Sequence, residues 1–325
     1  MKTKDVQDNL ITTITQFFMR NRIISSISFL LFLLWVMSAH TQTPTDGLFM
    51  EKNEICIAVM GSHDTWDHYW EGRLLRDNQN IGILTRNTLM PMAAYGISSK
   101  INLLVGLPYV STSPSGGQMT GVSGWQDLSI FLKFKPYSSH NDRWTLLSFV
   151  TAGFSTPASG YLSDYQPFSL GLGTQEYSLR AIVKTEYLEK YYFRGSAAFL
   201  HRTTTEAERD YYYTTKGIYT STMDVPDATN FELALGLWMF NRAIQLEGAY
   251  VAQTSLSGDD IRRQNQAQPT NKMDWTSVNG RLRYFTPFFE GFSLMANYGQ
   301  VLTGRNVGQS TVISGGITYQ FPLKK

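Results

Sequence analysis

From Ile55 onward the chain repeats one arrangement. Runs of about ten residues alternate apolar and polar side chains, and the connections between them are alternately short and long. In the run 244–254, Ile244, Leu246, Gly248, Tyr250 and Ala252 share one face, and Gln245, Glu247, Ala249 and Gln253 the other. In the run 177–187, Tyr177, Leu179, Ala181, Val183 and Tyr187 oppose Ser178, Arg180, Lys184 and Glu186. Runs of this kind fall at 54–62, 82–93, 98–109, 124–135, 144–155, 176–188, 191–202, 229–240, 243–254, 274–286, 291–302 and 311–321. The second alternates poorly, and the fifth fits either face. Each is close to the roughly 9–11 residues that a tilted membrane strand needs, and about twelve is an even number, as single-chain bacterial barrels require.

The connections point the same way. Those at 94–100, 136–143, 189–190, 241–242 and 288–290 are short. Those at 63–81, 110–123, 156–175, 203–228 and 255–273 are long, with a smaller one at 303–310. A soluble sandwich has no reason to gather its long loops at one end, whereas short periplasmic turns and long external loops are the pattern of a membrane barrel. The expectation is an all-β, closed, antiparallel up-and-down transmembrane β-barrel of about twelve strands, with both mature termini in the periplasm.

Composition agrees. Charged residues make up 17%, below the roughly 25% of soluble domains, while aromatics reach 14%. A mean hydropathy of −0.20 argues against a bundle of membrane helices; composition by itself also admits a soluble β-sandwich. The net charge of +2 gives no electrostatic case for a nucleic-acid partner. Trp125, Trp144, Tyr177, Tyr187, Phe231, Trp275, Phe292 and Phe321 lie near strand ends, where rings would form two interfacial girdles. Cys56 is the single cysteine, so no intramolecular disulfide can form.

Residues 19–36, MRNRIISSISFLLFLLWV, carry two arginines and then an apolar run, followed by Met37-Ser38-Ala39-His40. That is the layout of a secretory signal peptide cleaved between Ser38 and Gln42. Its long n-region suggests Met19 as an alternative start. The division is then 1–41 signal peptide, 42–53 short periplasmic segment, 54–321 barrel and 322–325 tail.

Alternation assigns Asp127, Lys133, Lys135, Arg180, Lys184, Glu186, Arg194, Glu232, Glu247, Arg281 and Arg283 to the lumen. An Arg or Lys facing lipid at the midplane would cost roughly 2–4 kcal/mol. These charges could pair and rigidify the barrel, or form a constriction that selects solutes; the two readings are compatible. His63, Asp64, Asp67 and His68 are expected together in the first external loop, as a metal or base candidate or a plain solvated loop. No second ligand cluster accompanies them, so no metal and no cofactor is expected. Phosphate loops and catalytic signatures such as HExxH and GxSxG are absent.

Several segments, Ile101–Thr112 (INLLVGLPYVST), Gly121–Lys135 (GVSGWQDLSIFLKFK), Ala152–Tyr161 (AGFSTPASGY) and Leu170–Thr174 (LGLGT), resemble the outer-membrane family labelled MetA-pathway of phenol degradation. The chain departs from that pattern at Trp125-Gln126, where a shorter Gly-Asp step is usual. The resemblance covers about 95–200 and implies a barrel passing or binding small hydrophobic or aromatic solutes, with no catalytic residues to transfer. The expected reading is a monomeric passive channel whose partners are outer-membrane lipid, the barrel assembly machinery and a small solute. The alternatives are an outer-membrane hydrolase using His63, His68 or His201 at the external rim, and a sealed structural or surface-binding barrel.

Overall fold

The computed structural model describes residues 42–262 and 265–323. The signal-peptide expectation for 1–41, including the alternative start at Met19, lies outside the described residues, as do Lys324 and Lys325 of the tail.

Twelve strands close into one antiparallel barrel. They are β1 (Glu54–Trp66), β2 (Leu84–Ser98), β3 (Ile101–Gly106 and Tyr109–Pro114), β4 (Ser123–Trp125 and Asp127–His140), β5 (Trp144–Pro157), β6 (Glu176–Tyr187), β7 (Tyr191–Arg202), β8 (Ala228–Met239), β9 (Ile244–Ser255), β10 (Asp274–Phe285), β11 (Phe292–Arg305) and β12 (Thr311–Pro322). Each pairs with its sequence neighbours. The ring shuts where β1 pairs with β12, from Glu54 opposite Pro322 to Thr65 opposite Thr311. β3 and β4 are each interrupted once, at Leu107-Pro108 and at Gln126. The Gln126 amide donates to the Pro108 carbonyl at 2.9 Å, which keeps the wall continuous across both breaks.

Polarity is inverted relative to a soluble fold. Leu235 is 68% exposed and Leu179 58%, while Arg194, Arg283 and Lys133 are the largest of the fully buried side chains. Only a barrel whose outer face meets hydrocarbon makes that arrangement favourable, since each outward Leu would otherwise expose its full apolar surface to water. Rings pair across strands at both ends. Trp144 and Tyr187 lie 4.7 Å apart at the end bearing the short turns, and Phe154 and Tyr177 lie 5.1 Å apart at the end bearing the long loops.

Strand ends moved where the tertiary structure supplied partners. β1 continues to Trp66 because Thr65 is paired on both flanks, with Thr311 and with Thr85. His63 and Asp64, expected in the first external loop, are therefore strand residues. Pairing also carries β4 through to His140. A register shift between Phe134 and Tyr137 accommodates Pro136, which has no N–H to give the ladder.

Candidate functional site

The segment that precedes β1 folds back into the barrel. Gln42, Asp46, Leu48 and Met50 are buried, and their partners come from the lumen face of six strands. Lys133 on β4 donates to the carbonyls of Thr43 (3.0 Å), Asp46 (2.7 Å) and Leu48 (3.0 Å) and pairs with the Asp46 carboxylate at 3.1 Å. Arg194 on β7 donates to the Thr45 carbonyl at 2.8 Å, and the Thr151 hydroxyl on β5 donates to that of Pro44 at 3.2 Å. Arg283 on β10 pairs with the other Asp46 oxygen at 3.0 Å. Gly47 packs so tightly on Lys184 of β6 that a Cβ there would lie 2.4 Å from its Cδ. Asn102 on β3 meets Gln42.

In a ring of twelve, β4 and β10 are six positions apart, which is opposite. Asp46 is therefore a strut across the diameter. At the usual strand spacing and tilt, opposing backbones lie about 24 Å apart, a gap that two long basic side chains and one chain segment fill. Residues 42–50 form a plug rather than a free periplasmic stretch.

The eleven residues assigned to the lumen all point inward, and most belong to the frame around the plug. Arg194 bridges Glu232 (2.6 Å) and Glu247 (2.9 Å). Arg281 reaches Glu247 at 3.2 Å, and the Tyr192 hydroxyl donates to the same carboxylate at 2.9 Å. Lys184 pairs with Glu186 at 2.5 Å and lies 4.7 Å from the Tyr192 ring, and Arg242 closes on Glu186 at 3.2 Å. Arg180 donates to Ser196 and Asn230, Asp127 accepts from the Tyr161 hydroxyl, and Lys135 sits 4.5 Å over the ring of Phe49. β5 reads ambiguously in the sequence for a reason visible here. Phe149 faces inward because it stacks on Phe49 at 5.8 Å and lies under the Lys133 ammonium.

At the loop end the barrel holds a partly open cavity of about 1310 Å³ lined by Trp66, Tyr69, Phe168, Tyr212 and Trp275 together with Asp64, Arg86 and several amide side chains. The loops form its roof. The connection 158–175 dips inward, held by Arg86 donating to the carbonyls of Ser169 (3.3 Å) and Leu170 (2.5 Å) and by Thr112 donating to that of Phe168 (2.9 Å). Asn306, at φ 55°, ties three connections together. Its carbonyl oxygen accepts from Gly72 and Ile261, and its amide donates to Asp260 and to the Lys272 carbonyl. The Arg305 hydrogen bond, helped by Asn306 and opposed by burial, holds the Asp260 carboxyl at about 2.

The four residues expected in one external loop do not form a cluster. His63 points outward from the barrel wall, its Nδ1 2.7 Å from the Asn87 side chain, whereas Asp64 points inward and accepts from Ser310. Alternation along β1 separates them. Asp67 and His68 stay in the loop, where a small hairpin (His68–Glu71 with Leu74–Asp77) sets His68 between Asp67 (2.7 Å) and Asp77 (3.0 Å). His201 faces Asp227 at 3.1 Å. Among the described residues, none of these rings hydrogen-bonds a serine hydroxyl, and no group of three His, Cys, Asp or Glu side chains could hold a metal ion.

Polarity, closure and the plugged lumen together define a membrane-spanning β-barrel of the outer-membrane type. The same fold is found in an outer membrane channel from Pseudomonas putida F1, at 16% identity and a TM-score of 0.68, covering 86% of this chain and all of that one. The NanC porin (10% identity, TM-score 0.44, 81% of this chain and 98% of that one) and the translocator domain of the autotransporter NalP from Neisseria meningitidis (11%, 0.42, 95% and 98%) are more distant. No family model and no curated protein matches the chain.

Proposed function

We propose that this protein is a passive channel of the Gram-negative outer membrane, admitting small solutes through a loop-roofed vestibule and held shut at rest by residues 42–50. The observation that carries this reading is the cavity of about 1310 Å³ at the loop end of a barrel whose lumen is elsewhere filled by a segment held through side chains of the wall. A structural seal would gain nothing from an aromatic-lined chamber, whereas a channel needs somewhere for a solute to sit. The channel of the same fold from Pseudomonas putida supports the assignment. The rings of Trp66, Tyr69 and Trp275 suit a solute with a flat apolar face, consistent with the aromatic or hydrophobic class that the family resemblance implies. With the short turns in the periplasm, the plug lies on the periplasmic side and the vestibule faces outward.

The cross-braced plug favours one second reading, a permanently sealed barrel. Planar-bilayer recordings and solute uptake into proteoliposomes separate the two. Discrete openings and uptake support the channel. Their complete absence, in the wild type and in a variant lacking residues 42–50, refutes it.

A further inference from the structure

Within residues 46–49 the plug presents a carboxylate and an aromatic ring to the barrel wall. The Asp46 carboxylate takes one cationic partner from each side of the barrel. Its Oδ1 lies 3.1 Å from Lys133 Nζ on β4, and its Oδ2 lies 3.0 Å from Arg283 Nη2 on β10. The Thr43 and Leu48 amides of the plug also donate to it, at 2.8 and 3.1 Å. The ring of Phe49 stacks on Phe149 of β5 at 5.8 Å, with an interplanar angle of 18°. Phe149 is the same ring that lies 5.0 Å from the Lys133 ammonium. Lys133 and Phe149 meet as diagonal neighbours on paired strands, Lys133 standing opposite Thr151. The wall therefore holds a built seat, two cations converging on a carboxylate with an aromatic face beside one of them. The wall carboxylates Glu232 and Glu247 are already engaged by Arg194 and Arg281.

We propose that Lys133, Arg283 and Phe149 form a binding site for small arenecarboxylates, and that the plug occupies this site at rest by imitating such a solute. The two cations receive the solute's carboxylate as they receive that of Asp46, through charge-assisted hydrogen bonds. The solute's ring lies on Phe149 in place of Phe49, in the offset stacking that aromatic faces favour. The wall needs no rearrangement, since the seat is already shaped around these two groups. Departure of the plug alone leaves Lys133 with water in place of the Asp46 carboxylate and the carbonyls of Thr43, Asp46 and Leu48. An entering carboxylate restores the ion pair, so binding favours the unplugged state. Neutral aromatics offer no such exchange. A group tethered by a short flexible segment competes at an effective concentration of about millimolar, so free arenecarboxylate should exchange with Asp46 in that range. The proposal rests on the channel reading for passage of the solute, whereas binding itself needs only the wall.

The test uses the folded barrel in detergent, as the wild type and as the variant lacking residues 42–50, with benzoate as the probe. Calorimetric titration should show one saturable equivalent in the deletion variant and at least tenfold weaker binding in the wild type, where Asp46 competes. Acetate should bind the deletion variant at least tenfold more weakly than benzoate, and benzamide, the neutral isostere, should not bind. In the deletion background, Lys133→Gln and Arg283→Gln should each weaken benzoate binding at least tenfold. Phe149→Leu should weaken benzoate and leave acetate unchanged. Heat-modifiable migration on gels confirms that each variant is folded. Benzamide bound as tightly as benzoate, or benzoate binding that survives Lys133→Gln and Arg283→Gln together, would overturn the site. Equal affinities for acetate and benzoate would overturn the aromatic class, and equal binding by the wild type and the deletion variant would overturn the competition with Asp46. A deletion variant that conducts in bilayers but does not bind benzoate refutes the site and leaves the channel standing. Benzoate binding in a barrel that never conducts refutes the channel and leaves the site standing.

Discussion

Replacing Asp46 by alanine removes the strut that joins opposite walls of the barrel. Its carboxylate pairs with both Lys133 and Arg283, at 3.1 and 3.0 Å, and both cations are almost wholly excluded from water. Losing one partner of a buried ion pair costs about 3–5 kcal/mol, because the remaining charge keeps its desolvation penalty without the compensating attraction. If the plug leaves, the lumen fills with water and those cations are rehydrated. The variant therefore penalises the seated state and spares the unseated one. At 1.4 kcal/mol per factor of ten, the unseated fraction should rise by about two to three and a half orders of magnitude. The carbonyls of Thr43, Thr45 and Leu48 still accept from Lys133 and Arg194, so plugging should become intermittent rather than vanish. Single-channel recording should show rare openings in the wild type, frequent openings of the same amplitude in Asp46→Ala, and a steady open level when residues 42–50 are deleted. Equal open probabilities in Asp46→Ala and the wild type, with a conducting deletion variant, would refute the strut as the latch. A silent deletion variant would refute the plug as the barrier.

Four further outcomes follow from the wall and the loops. Leu233→Arg on the outer face, where the side chain is 55% exposed, should lower folding stability by roughly 2–4 kcal/mol at the midplane; urea titration of folding into vesicles measures it, and an unchanged midpoint would place that position away from lipid. Asn306→Ala should free the connections 67–83 and 256–273 together, since both lose partners at one side chain; hydrogen exchange should speed up in both, and a change in only one would dissociate them. The His68 pKa is raised, chiefly by its hydrogen bond to Asp67 and further by the Asp77 charge, so the hairpin's extra stability is full below the ordinary histidine value and lost as pH rises through the raised one. Exchange at 68–77 should be slower at pH 5.5 than at pH 8.5, with no pH difference beyond the intrinsic rate in His68→Ala. Asp260 runs the opposite way. Its depressed pKa, about 2, contributes stability above the ordinary carboxylate value that is lost only as pH falls through about 2, so the Arg305 tie should survive mild acid.

Period-two alternation determined the strands. Alternating strands would also suit a sandwich, and it was the long connections gathered at one end that favoured the closed sheet, while the alternating faces assigned the charges to the lumen. The same local signal weakened on two strands where inward positions are apolar. β2 alternates poorly because Met90 and Met92 face the lumen, and β5 is ambiguous because Phe149 packs on Phe49, about a hundred residues away in sequence. The plug left no periodicity to read. Residues 43–47, TPTDG, have the composition of a turn-rich linker, and their place is determined by Lys133, Arg194 and Arg283, which come together only when the ring closes. The vestibule is likewise a product of closure, since Trp66, Phe168 and Trp275 meet around it from distant parts of the chain. His63 and Asp64 show the limit most simply. Adjacent in sequence, they end on opposite faces of the wall, because partners on both flanks extended β1 beyond the point where its own pattern ended.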